Sequence, residues 1–434
     1  MQFLTFLFAL TASAATITPN DFTKACPGGV DNVIMTEANT LNGTVNSEIG
    51  PARAPLLGNL PLSLVNNFAG GSLNAYISGL DSNGAVVFLA ADGSLVYPTS
   101  GGSSVPVPIG ADIAIPLPPR GQTLRITLPI ALSSGRVYFA AGKLNFFMVF
   151  TGSGDGLVQP SINNLQDPSA GLNWGFVELT LTPKGVIWAN ISFVDFVGLV
   201  FGMRLVDRDG RVQEVLGLPA GAVDSICNEL RAQGDVDGRP WAAHCIEGPT
   251  GRPLRVVSPN NYATINPGAF ADYWTVYADE VWRRDANQPL YINTQNENGV
   301  VECRVTGDTL SCDGDNRGYA KPEAVDIWGC NSGPFGIRQG DNAVHYAVVP
   351  RLCAAFVRTT LLLAGGDLQP GVDARDYYMQ DPTSHYSRVV HEQEVDGRGY
   401  AFPYDDVNPD GAEDAAGLVA SGNFDVLNFF IGGV

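Results

Sequence analysis

Between Leu56 and about Val206 the chain is a succession of short runs rich in Val, Ile, Phe and Tyr, among them LNAYISGL, AVVFLAA, LRITLPI, RVYFAAG and LNFFMVF. Gly, Pro, Ser or Asp-Gly separates one run from the next. Apolar runs this short do not build long helices, and the residues between them form turns, so the segment predicts a β-sandwich or barrel. Helical spacing comes later. Residues 222–232 read as a short helix, Phe270, Trp274, Tyr277 and Val281 recur at helical spacing along 270–284, and 343–363 is an apolar helix candidate. After about Asp376, SRVVHEQEVDG and RGYAFPYDDV read as strands again. The order predicts a mainly β fold, residues 15–205 plus 376–434, with an inserted mixed α/β domain of residues 206–375.

Charge narrows the partners. Against 44 Asp and Glu stand 25 Lys and Arg, a net charge of −19. Such a surface repels phosphate, which argues against nucleic acid and against anionic membranes. With 45% hydrophobic residues the chain can bury a large core. The expected partner is a neutral molecule, and a monomer is expected.

The N-terminus carries an apolar run, QFLTFLFAL, followed by Thr11-Ala12-Ser13-Ala14-Ala15. It is shorter than the roughly 20 residues a membrane span needs, and its small residues suit signal peptidase, so residues 1–14 are read as a secretory signal peptide. The expected location is extracellular or in the cell wall. Secretion makes the seven cysteines disulfide candidates. Cys303 and Cys312 flank a predicted hairpin turn, Thr306-Gly307-Asp308, and are the most credible pair. Proximity suggests Cys227 with Cys245 and Cys330 with Cys353, leaving Cys26 over. Asn42-Gly43-Thr44 is a plausible glycosylation site.

Several chemistries fail on spacing. None of the four histidines forms HExxH, and GxSxG is absent. No CxxC pair and no glycine-rich phosphate loop occur. Asp313-Gly314-Asp315-Asn316 lacks the later ligands of a calcium loop, and Asp235-Val236-Asp237-Gly238 reads as an acidic turn. No metal and no cofactor is expected. Carboxylates and aromatics remain, the two things hydrolysis of a polysaccharide needs.

The window from Trp174 to Val200, WGFVELTLTPKGVIWANISFVDFVGLV, reads as a strand, a turn at Pro183-Lys184-Gly185 and a second strand. Alternation puts Trp174, Phe176, Glu178, Thr180 and Thr182 on one face, with Gly175, Val177, Leu179 and Leu181 turned to a core. Apolar neighbours would raise the pKa of Glu178 and suit it to act as an acid. Trp188, Asn190 and Ser192 share a face of the second strand. Asp195 has the opposite parity and joins them only through a bulge or an irregular turn. A glycan on the Asn190-Ile191-Ser192 sequon would obstruct this face, so that sequon is expected to be unmodified. Asp405 and Asp406 are read as a structural turn that caps strands.

Four segments, WGFVELTLT…VIWANISFVDFVG (174–198), YWTVYADEVW (273–282), KPEAVDIWGCNSGPF (321–335) and RVVHEQEVDGRGYAFPYDDV (388–407), make the chain resemble glycoside hydrolase family 64. That family consists of secreted β-1,3-glucanases on a thaumatin-like framework. The resemblance implies a thaumatin-like β-sandwich or barrel domain and a mixed α/β domain flanking an open groove. It implies an inverting endo-1,3-β-glucanase with Glu178 as general acid and Asp195 as general base. Family positions that contact the glucan fall on Thr180, Thr182, Trp188 and Ser192. Thr182 and Ser192 stand where the family carries other small polar residues. The alternative implied by the same framework is a non-catalytic carbohydrate-binding or defence protein.

Overall fold

Leu179, Ala189 and Ile191 alternate with more open neighbours, and with Val137 and Val177 they are buried and build the central layer. In the computed structural model, which describes residues 22–35, 39–41, 59–412 and 415–434, they lie on β1 (Leu132–Ala140), β2 (Trp174–Leu181) and β3 (Ile187–Ile191). The signal-peptide segment 1–14 and the Asn42 sequon lie outside the described residues. These three strands sit inside a large antiparallel sheet. Its order is Leu418–Ser421, β3, β2, β1, Asn74–Leu80, Val86–Leu89 and Leu95–Val96, with Ile115–Pro116 also paired to Asn74–Leu80.

A second sheet runs Val212–Val215, Phe201–Asp207, Phe424–Ile431, Leu60–Asn66 and Thr123–Leu128. It packs on the inner face of the first: the Phe139 ring centroid of β1 lies 5.4 Å from Phe201 and 6.1 Å from Phe429. Burial of each such ring is worth roughly 1.5–3 kcal/mol. The mainly β expectation holds.

Between and after the strands lie α1 (Ala222–Asp237), α2 (Pro259–Ile265), α3 (Thr275–Asp285), α4 (Ala324–Gly329), α5 (Ala343–Val357) and α6 (His385–Gln393). A five-stranded sheet, Tyr319–Ala320, Thr309–Cys312, Val300–Thr306, Leu290–Asn293 and Leu368–Gln369, accompanies them. Among the described residues no helix is long and apolar enough to cross a membrane.

Several elements differ from the expectation. The supposed acidic turn at Asp235–Asp237 is the last turn of α1, which ends where Gly238 takes φ 70°. Asp237 there accepts hydrogen bonds from Trp241 Nε1 and Arg239 N, both at 2.8 Å. The third helix starts at Thr275 rather than 270, and α5 stops at Val357 rather than 363. SRVVHEQEVDG is not a strand. Ser384 caps the Ser387 N–H to start α6, and Tyr386, Val389 and Val390 bury one helical stripe. The following RGYAFPYDDV is a run of turns with a single bridge, Tyr400 to Ser192.

Disulfides join Cys227 to Cys245, Cys303 to Cys312 and Cys330 to Cys353. Cys303 and Cys312 face each other across the hairpin, with Cα atoms 4.0 Å apart. Cys26 is exposed and unbridged.

Asp405 does sit in a turn, but it is buried and serves as an anchor rather than a strand cap. Its Oδ2 accepts from Ala401 N at 2.8 Å and lies 3.0 Å from His391 Nε2, and its Oδ1 accepts from Arg358 Nη2 at 2.9 Å. His391 Nδ1 in turn lies 2.8 Å from Glu394 Oε2. This cluster ties α5, α6 and the 394–407 loop together. The loop then pins the strand end that leads into the candidate site. Tyr400 N donates to Ile191 O at 3.2 Å, Phe193 N to Tyr400 O at 2.7 Å, and the α6 Tyr386 hydroxyl to Phe193 O at 2.6 Å.

Candidate active site

The β2–β3 hairpin is closed by Thr182 to Val186. Gly185 takes φ 75°, a conformation that favours glycine, and the Thr182 hydroxyl accepts from Val186 N at 3.0 Å. That closure sets the register: Glu178 pairs with Asn190, and Thr180 with Trp188. On the other side Glu178 pairs with Arg136 of β1. One row across the sheet therefore reads Arg136, Glu178, Asn190, and the next holds Thr180 and Trp188. Trp188 is 46% exposed, so this end of the face is open to a ligand. Trp174 and Phe176, at the other end, are buried against Phe196.

Asp195 reaches the site by an irregular turn. β3 ends at Ile191, Ser192 makes the bridge to Tyr400, and the chain bends through 194–195. It then enters a different sheet as β4 (Phe196–Val197), paired with Pro253–Val257. No bulge in β3 is involved. The bend is held from α2. Ser258 and Pro259 start that helix as N-cap and first residue, which places Asn261 one turn in. Ser258 N donates to Asp195 O at 2.9 Å, and Asn261 Nδ2 donates to the same oxygen at 3.0 Å and to the carboxylate Oδ1 at 3.2 Å.

Asp195 lines a narrow cleft with Arg136, Tyr138, Gln159, Trp174 and Asn261. Arg136 bonds one of the two carboxyls and lines the cleft of the other. Its Nη2 donates to Glu178 Oε1 at 3.2 Å, while Asp195 lies in the same cleft and within its field. Asn190 Nδ2 lies 3.4 Å from Glu178 Oε2. The immediate surroundings of Glu178 are thus a guanidinium and an amide, not the apolar neighbours expected. Asp195 shares its cleft with polar groups and with the Trp174 and Phe176 rings. Burial pushes its pKa up, the negative Glu178 pushes the same way, and Arg136 and the Asn261 hydrogen bond oppose. Burial also pushes the Tyr138 hydroxyl up to about 12. Another surface cavity, lined by Asn83, Tyr97, Thr151 and Asp155 among others, shares no residue with this cleft and presents a single carboxylate.

Of the residues singled out from sequence, Glu178, Thr180, Trp188 and Asn190 lie together on the sheet face, and Asp195 joins them around Arg136. Thr182 sits in the hairpin turn and Ser192 at the strand end, both half-buried. Arg136, Tyr138, Gln159 and Asn261 were not anticipated. The alternation of Arg136 and Tyr138 in RVYFAAG was a usable signal, since it places a cation on the face opposite the buried Val137 and Phe139. Ser258-Pro259 was another, as a helix start.

Carboxyls beside an open indole face are groups that carbohydrate hydrolysis uses, and comparison with known proteins gives a carbohydrate-hydrolysing family. A family model described as β-1,3-glucanase, glycoside hydrolase family 64, matches residues 58–431. The chain belongs to this family. It is 29% identical over 390 residues to a glucan endo-1,3-β-glucosidase of Cellulosimicrobium cellulans, across 88% of this chain and 66% of that protein. A protein of the same description from Arthrobacter sp. (strain YCWD3) aligns with the same identity and coverage. The chain thus spans just under two-thirds of the length of these relatives. Among solved structures, a laminaripentaose-producing β-1,3-glucanase in complex with laminaritetraose is 27% identical with a TM-score of 0.75, covering 87% of this chain and 99% of that one. A β-1,3-glucanase domain from Clostridium beijerinckii, 18% identical with a TM-score of 0.66 over 87% of this chain and all of that one, shares the fold.

Proposed function

We propose that this chain is a secreted endo-1,3-β-glucanase that hydrolyses its glycosidic bond with inversion, Glu178 serving as general acid and Asp195 as general base. The observation that carries the reading is that Glu178 is bonded to Arg136, which lines one cleft with Asp195, beside a sheet face that ends in an exposed tryptophan. Protonated Glu178 gives its proton to the glycosidic oxygen. Ionised Asp195 takes a proton from a water that attacks the anomeric carbon from the opposite side of the ring. Inversion needs room for that water, so the carboxyls should lie roughly 6.5–9.5 Å apart. Thr180, Thr182, Trp188 and Ser192 contact the sugars, with Trp188 as the stacking platform. The β domain, 15–205 plus 376–434, has a thaumatin-like framework and flanks an open groove with the 206–375 domain. Residues 1–14 direct secretion, which fits the three disulfides. The net charge of −19 suits an uncharged polymer. Incubation with laminarin or curdlan should release shorter 1,3-linked oligosaccharides. Binding without cleavage would replace this reading with the non-catalytic one.

Asn261 acts through Asp195. Replacing it with Ala removes the amide that holds both the carbonyl and the carboxylate of the base, and misplacement on this scale costs about a hundredfold. The expected result is a kcat on laminarin lower by that order with KM little changed. A kcat equal to wild type would refute the positioning role.

A further inference from the structure

We propose that Arg136 is a positioning residue for this pair, a fixed guanidinium that balances whichever of the two carboxyls bears the negative charge. The inference rests on the assignment of Glu178 and Asp195 and goes beyond it. Arg136 is immobilised by protein groups alone. Nη2 bonds Glu178 at 3.2 Å, Nη1 bonds Gln159 Oε1 at 3.0 Å, and the Phe176 ring lies under the guanidinium with its centroid 4.3 Å away. The Tyr138 hydroxyl donates to the same Gln159 oxygen, which fixes the acceptor as well.

The charge balance of an inverting turnover gives such a group its use. At the start Asp195 is ionised and Glu178 holds a proton. The bond from the anomeric carbon to the leaving oxygen breaks, and Glu178 protonates that oxygen. Water oxygen bonds to the anomeric carbon, and its proton passes to Asp195. The site bears one negative charge before and after, but the charge has moved from Asp195 to Glu178. A cation bonded to Glu178 and lining the same cleft as Asp195 acts on either end through its field without moving, so no reorganisation is needed at the moment of reaction. The titratable and polar groups around Asp195 are Arg136 and Tyr138 from β1, Glu178 from β2, Asn261 from α2 and Tyr386 from α6. Arg136 is the cation among them. Its charge is held on: burial works against it, and Tyr138, Glu178 and Asp195 outweigh that burial. A lysine supplies the charge but not the fork that reaches Glu178 and Gln159 together.

The test is the pH dependence of laminarin hydrolysis by the full chain. In R136Q, kcat should fall about tenfold or more, and the low-pH limb, which reports ionisation of Asp195, should move up by about 1–3 pH units. R136K should lower kcat and leave that limb in place. An R136Q limb that does not move overturns the inference. Should R136Q fail to fold by its thermal melt, R136K decides: lower kcat with the limb in place supports the inference, and an unchanged kcat or a displaced limb overturns it. The two readings separate through D195N. If D195N is inactive and the R136Q limb stays put, the inference alone fails. If D195N is active, both fail.

Discussion

E178Q and D195N should each lose at least about a thousandfold in laminarin turnover, and neither should lose the fold. Glu178 is a half-exposed strand residue, with 36% of its side chain open. A glutamine there still accepts from Arg136 through its amide oxygen, so its melting temperature should stay close to wild type. Asp195 carries the sharper expectation. Burial and the facing Glu178 raise its pKa. Since the folded pKa is raised, the site favours the protonated carboxyl, and that contribution is complete below the ordinary 3.8 and is lost as pH rises through the folded value. An ionised Asp195 at neutral pH is therefore a cost to stability that the neutral asparagine does not carry, and the Asn261 bond to Oδ1 remains possible. D195N should melt at the wild-type temperature or above it while being inactive, the trade expected of a functional group held in an unfavourable setting. Activity assays beside thermal melts check both halves. Residual turnover within tenfold of wild type in either variant would count against the assigned roles.

D405N should cost about 3–5 kcal/mol of stability, because it leaves the buried Arg358 and His391 without their shared counter-ion. Burial works against the His391 imidazolium, but Asp405 and Glu394 outweigh it and push the pKa up to about 10. Its contribution is therefore complete below the ordinary 6.5 and is lost as pH rises through about 10. Asp405 is shifted the other way. Burial opposes ionisation, yet His391 and Arg358 hold its pKa below 3.8, so its contribution is present above that value and is lost as pH falls further. Glu394, pushed up to about 7 mainly by burial, contributes fully below the ordinary 4.5 and loses that contribution by about 7. The three titrate as a unit; the Asp405–His391 pair is strongest between 3.8 and 6.5, while the Glu394 contribution already declines above 4.5. Denaturant melts of wild type and D405N at pH 5.5 and pH 9 test this, with the difference largest at the lower pH. A D405N protein within about 1 kcal/mol of wild type at pH 5.5 would contradict it. Because the 394–407 loop braces Ile191 and Phe193, D405N should also slow turnover.

The hairpin that carries Glu178 was legible because strand alternation is a local rule. Val177, Leu179 and Leu181 had to face a core, so Glu178, Thr180 and Thr182 had to face away. Asp195 showed only that it could not stay in that register. What brings it back is the chain's passage into a second sheet and a bond from Asn261, 66 residues onward, and no local pattern carries that. Arg136 was hidden for a similar reason, since Glu178 meets it only through sheet pairing and Gln159 reaches it from the end of a strand in another sheet. The misread α6 has a different cause. Val389 and Val390 are β-branched and suggested a strand, but the stripe they form with Tyr386 has helical spacing and Ser384 supplies the cap. The extra turn of α1 was missed because Asp235 and Asp237 resemble a turn sequence, whereas Asp237 is retained in the helix by the Trp241 and Arg239 donors.

The central claim is that Glu178 and Asp195 act as separate acid and base on opposite sides of a glucan ring. Proton NMR of laminarin digests, recorded within the first minutes before mutarotation, reads this directly. The account predicts that the newly formed reducing ends appear first as the α-anomer. A β-anomer appearing first would mean retention and would contradict it.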